Sequence, residues 1–65
     1  MLNVGEKIRS LRTEKGMSQD ELSKASNVNR TTISMIENGK VDSVTTGTIE
    51  AIARALDVSV RIFFE

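Results

Sequence analysis

The stretch from Ser18 to Lys40, SQDELSKASNVNRTTISMIENGK, sets the tightest limit on the fold, because it specifies two helix starts and two helix stops in one short run. Ser18 with Glu21 three residues on is a capping-box signature: the hydroxyl accepts a first-turn amide while the carboxylate accepts the serine's own amide. A helix therefore begins there, with Leu22 and Ala25 as its inward residues. It stops near Ser26-Asn27, where two short polar side chains compete with the backbone for hydrogen bonds. Val28 follows as an apolar plug, and Asn29 then caps a second helix whose Ile33 and Ile36 turn toward the first. Asn38-Gly39 ends it, since glycine enters the left-handed conformation without strain. Two short helices with about three or four residues between them, crossing steeply, form a helix-turn-helix, whose second member is narrow enough to lie in a DNA major groove. A purely structural helical hairpin is the alternative.

The same stretch resembles the S-Q-x-E-L-A-x-x-x-G-V-S-x-x-T-I-S-x-I-E-x-G-K pattern of the Xre and Cro/cI-type repressors, the lambda repressor-like family. Gln19, Glu21, Leu22, Val28, Ile33, Ser34, Ile36, Glu37, Gly39 and Lys40 match in one register without a gap. Asn27 departs from the pattern, which commonly has glycine there; asparagine tolerates positive φ, so the turn survives. The resemblance implies an all-α, five-helix DNA-binding domain that regulates transcription, most simply as a repressor holding an inverted-repeat operator as a homodimer.

The resemblance also implies roles for individual residues. With Ile33 and Ile36 inward, the residues left facing out are Asn29, Arg30, Thr31, Ser34 and Met35. Arg30 and Thr31 occupy the family positions that most often meet base edges, with Ser34 and Met35 further along the same face. Arginine bonds guanine O6 and N7 bidentately, threonine bonds a base or sets its methyl against thymine, and methionine offers an apolar surface. The plainer readings are a solvated charge for Arg30 and a cover over apolar surface for Met35. Gln19 and Lys40 match phosphate-contacting positions, and Asn29 and Asn38 are further candidates for phosphate. Arg12 and Glu37 match a family ion pair joining the first helix to the end of the third; its worth depends on whether water reaches it. The loop VDSVTTG carries neither the proline nor the basic residues of many relatives, and Asp42 would repel a phosphate.

Elsewhere the periodicity is that of core-facing helices. Val4, Ile8 and Leu11 make an inward stripe, Asn3 is placed to cap it, Gly16 ends it, and Met17 tucks in at the corner. Thr45 or Thr46 caps a helix in which Ile49, Ile52, Ala53 and Leu56 recur at one face; the family's IAxAL-x-VS signature appears as Ile52, Ala53, Ala55, Leu56, Val58 and Ser59. Ser59 caps a final VRIFFE segment in which Val60 and Phe63 turn in, Phe64 follows and Ile62 is left apolar at the surface. Such a segment suggests a self-complementary patch, so residues 57–65 are expected to pair two copies through Val60, Ile62, Phe63 and Phe64. A β-strand over VSVRIFF is the structural alternative. The expected helices span about 3–15, 18–25, 29–37, 45–56 and 60–64.

Sixty-five residues make one domain, 1–65, and folding at this size hides only about 60% of the chain's surface. There is no cysteine and no histidine, which removes the disulfide scaffold and the usual zinc finger; no metal or cofactor is expected. No apolar run of membrane-spanning length and no signal-peptide pattern occurs, so the expected address is cytoplasmic, at the nucleoid, with no membrane partner. The formal net charge is zero. Seven basic against five acidic residues through Lys40 give +2, and two against four beyond it give −2. The asymmetry favours nucleic acid at the front of the chain, but weakly, so nonspecific affinity should be modest. No phosphate-cradling glycine loop or catalytic constellation is present, which argues against an enzyme. The competing class is a protein-interaction module, or an antitoxin-type partner binder, that uses the same fold without DNA.

Overall fold

In the computed structural model, which describes residues 3–41 and 44–64, side-chain caps decide where each helix starts. Asn3 Oδ1 accepts the Glu6 amide at 2.8 Å ahead of α1 (Val4–Glu14). The full capping box precedes α2 (Gln19–Ser26): Ser18 Oγ accepts the Glu21 amide at 3.0 Å and Glu21 Oε1 accepts the Ser18 amide at 2.8 Å. Asn29 Oδ1 accepts the Thr31 amide at 2.8 Å to open α3 (Arg30–Glu37), and Thr45 caps α4 (Thr46–Ala55) through the Thr48 amide. Each cap satisfies a donor that the first turn of a helix otherwise leaves bare.

The described chain is all-helical, with four α-helices and one 3-10 helix, Val60–Phe64. The short final helix expected over 60–64 forms there as this tighter 3-10 turn, opened by Ser59 Oγ accepting the Arg61 amide and carrying an Ile62 amide to Ser59 carbonyl bond of 3.2 Å. Five residues rich in β-branched and aromatic side chains hold an i to i+3 pattern more readily than a full α-turn. No strand forms among the described residues. Asp42 and Glu65 lie outside them, so the expected repulsion of a phosphate by Asp42 does too.

Three of the four α-helix stops follow one device. Gly16, Gly39 and Asp57 take positive φ of 71°, 69° and 58°, and the next amide reaches back five residues, from Met17 to Arg12, Lys40 to Met35 and Val58 to Ala53. This 6→1 bond is the Schellman closure. Asn27 ends α2 at φ 61°, donating its amide to Ser23 O at 2.8 Å, so asparagine fills the place that glycine commonly takes.

The helices close over a core of Ile8, Leu22, Ile33, Ile36, Ile49, Ile52, Ala53, Leu56 and Phe63. One expectation fails in α2: Ala25 is exposed, and the inward partner of Leu22 is Ser26, one full turn on. Ser26 is tolerated there because its hydroxyl donates to Leu22 O at 2.7 Å and accepts the Val28 amide at 3.2 Å, stitching the turn to α2. A second unanticipated contact lies between α1 and α3. Gly5 is buried, and a Cβ there would collide with the Ile36 carbonyl oxygen; only glycine lets the two backbones approach so closely.

Candidate nucleic-acid interface

Three helices are joined behind α3. Arg12 donates from Nε to Glu37 Oε2 at 2.8 Å and from Nη2 to Glu37 Oε1 at 3.0 Å, a bidentate pair, while its Nη1 donates to Met17 O at 2.7 Å. Gln19 Nε2 donates to the same Glu37 Oε1 at 3.1 Å. The Arg12 and Glu37 side chains are 11% and 1% exposed, so the pair is shielded, and each of the three guanidinium nitrogens donates once. The hydrogen bond to Glu37 raises the Arg12 pKa above its ordinary value, opposed by burial and helped by the carboxylate's charge. The arrangement pins the C-terminal end of α3 to α1 and to the start of α2 at once.

Pinned from behind, α3 turns its other side outward. Side chains advance by about 100° per residue, and Ile33, Ile36 and Glu37 are buried. Thr31, Met35 and Asn38 therefore centre the opposite side, with Arg30 and Ser34 on one flank and Thr32 on the other. Arg30, Thr31, Thr32 and Asn38 are exposed, Met35 is 40% exposed and Ser34 is half-buried. Among the described residues neither Arg30 nor Lys40 takes part in an ion pair. Thr32 escaped the sequence reading, although a helical wheel anchored on Ile33 and Ile36 would have found it; it borders a shallow groove with Val44, Thr45 and Thr48.

The residues expected at phosphate are placed differently from one another. Lys40 stands exposed just past Gly39. Asn29 is exposed, its carbonyl oxygen spent on the cap. Asn38 is exposed too, but its amide donates back to Ser34 O at 2.8 Å and more loosely to Ser34 Oγ. Gln19 is half-buried and braces Glu37.

The four residues expected to pair two copies all lie in the final 3-10 helix and differ in exposure. Phe63 is 4% exposed and belongs to the protomer's own core, so little of its surface is left free. Val60 and Ile62 are half-buried, and the Ile62 carbonyl accepts Lys7 Nζ at 2.8 Å. Phe64 is 62% exposed and borders a groove with Val4, Val41 and Val44, whereas Val60 borders another with Glu50, Arg54 and Val58.

Capped helices, a tight turn at Asn27 and an outward polar side on α3 define a helix-turn-helix protein, and a helix-turn-helix family model matches residues 8–63. The chain belongs to the Xre/lambda repressor-like helix-turn-helix family, whose fold is that of DNA-binding regulators. It is similar to the Bacillus subtilis master regulator for biofilm formation SinR, solved in complex with DNA, at 31% identity and TM-score 0.91 over 95% of this chain and 98% of that one. It is also similar to the restriction-modification controller protein C.AhdI from Aeromonas hydrophila, at 36% identity and TM-score 0.88, over 94% and 91% of the two chains. A point variant of a further controller protein, C.Esp1396I, bound to its highest-affinity operator site, matches at 41% identity and TM-score 0.83, over 94% and 79%. Comparison with curated proteins gave no match. Among the described residues no helix is long and apolar enough to cross a membrane.

Proposed function

We propose that the chain is a sequence-specific DNA-binding transcriptional regulator, acting in the cytoplasm as a homodimer on an inverted-repeat operator and, most simply, as a repressor. One observation carries this reading: the outward side of α3 stands clear while its inward side is clamped by the Arg12–Glu37–Gln19 network. A helix held that way presents side chains to a groove without reorganising. Arg30 and Thr31 read base edges, Ser34 and Met35 extend the contact, and Lys40, Asn29, Asn38 and Gln19 face the phosphates. The likeness to SinR in complex with DNA and to C.Esp1396I bound to an operator supports it.

The domain extends 25 × 22 × 20 Å. To enter successive major grooves, two such bodies about a two-fold axis would have to hold their α3 helices roughly 34 Å apart. A dimer seated on a promoter excludes polymerase; residues 57–65 are the segment assigned to pairing, and 1–65 the single domain.

Selection of bound duplexes from a random pool, followed by titration of the enriched site at low and moderate salt, tests this. The expected product is an inverted repeat with half-site centres about 10 base pairs apart. A preference over random duplex of less than about tenfold overturns the regulator reading. That result would instead favour the protein-interaction module, for which the zero net charge is the motive.

A further inference from the structure

We propose that Met35 is a reversible oxidation site on the outward side of α3: hydrogen peroxide converts its thioether to the sulfoxide in the free protein and so weakens the hold on DNA. This rests on the DNA-binding reading above and names a chemical signal that controls it.

The chain holds no cysteine, tryptophan, tyrosine or histidine. Methionine sulfur is therefore the group that a mild peroxide attacks first, and the three methionines are not equivalent. Met1 lies outside the described residues. Met17 is half-buried at the corner before α2 and packs against the core. Met35 is 40% exposed and, apart from Phe64, the one large apolar side chain left in water among the described residues. It stands at the centre of the outward side of α3, one turn after Thr31 and nearly one turn before Asn38.

That placement separates two costs of oxidation. A sulfur lone pair attacks one peroxide oxygen, the O–O bond breaks, an S–O bond forms and the second oxygen leaves as water; sulfur loses the two electrons that peroxide gains. A flexible apolar tip becomes polar. At Met17 that polarity enters the core and lowers stability. At Met35 water meets the new oxygen in the free protein, so the fold loses nothing. In a major groove the same oxygen is an acceptor set among acceptors, because guanine N7 and O6, adenine N7 and thymine O4 line most base edges there. The apolar contact is lost, and an acceptor taken from water without a donor is destabilising. A bound duplex covers the sulfur in its turn, which makes the free protein the form that is modified. Sulfoxide reductases return the thioether, the oxygen leaving as water while a thiol pair becomes a disulfide.

Cleavage after lysine and arginine places Met1, Met17 and Met35 in separate peptides, 1–7, 16–24 and 31–40, so mass spectrometry follows each sulfur. The full chain is treated with dilute hydrogen peroxide, with and without saturating selected duplex, and then titrated with that duplex. Oxygen should enter 31–40 before 16–24 in the free protein, and more slowly in the complex. With 31–40 fully oxidised, affinity for the selected site should fall about tenfold or more, while circular dichroism and the melting curve are kept. Methionine sulfoxide reductase with dithiothreitol should restore it. Met35→Leu, compared with its own untreated form, should lose less than about threefold under the same treatment. Oxidation of 31–40 that leaves affinity within about threefold, a loss that Met35→Leu shares, or a loss that follows a lowered melting curve would each overturn the proposal while leaving DNA binding intact. An untreated chain that prefers no duplex over random DNA would remove the regulator reading itself, and this inference with it.

Discussion

At the scale of single residues, Glu37 and Arg30 do opposite work on one helix. Glu37 accepts from Arg12 twice and from Gln19 once while hidden from water. Glu37→Gln leaves the Arg12 guanidinium shielded without its counter-charge, which should cost about 3 kcal/mol, read as a lower urea midpoint at unchanged slope. Arg30, exposed and unpaired among the described residues, should behave the other way. Arg30→Ala is expected to leave the melting curve in place and to weaken the selected site by about 1–3 kcal/mol, with little change on random duplex, both measured by titration. Equal losses on the two duplexes would make Arg30 a backbone contact. Motif matching pointed to Arg12 with Glu37 and to Arg30, because residue type and spacing are written in the chain. Burial is not: whether the ion pair is shielded depends on helices distant in sequence, and so does the engagement of Gln19 with Glu37.

At the scale of elements, the caps were readable because each is a local contest between a side chain and its own backbone. Ser18 with Glu21, Asn3, Asn29 and Thr45 all sit where short-range rules place them. The left-handed Asp57 and the exposure of Ala25 were not readable by such rules. Both depend on how α4 and α2 are rotated against their neighbours, as does the tight closure of Val60–Phe64. Gly5 is the clearest case: it looks like a weak residue in a helix, yet it is where α1 lies against the Ile36 carbonyl. Gly5→Ala ought to raise helix propensity and still lower stability, by about 1–3 kcal/mol, because the added methyl has backbone in its way. A stabilised variant in thermal denaturation would mean that the two helices part easily.

For the molecule as a whole, electrostatics separates this chain from strongly basic DNA binders. With zero net charge and Lys40 and Arg30 as the cations beside the outward side of α3, a dimer should displace few counterions. The logarithm of affinity against the logarithm of salt should then fall with a slope of about −2 to −4. A slope steeper than about −6 would require cationic contacts from elsewhere on the surface. The Arg12–Glu37–Gln19 clamp has a last consequence for such a complex. A probe bolted to its chassis has little compliance to lend, so any mismatch of curvature must be absorbed by the duplex. Base steps midway between the half-sites, touched by no side chain, would then count through their stiffness, and pliable pyrimidine–purine steps there would be the ones that favour a close fit.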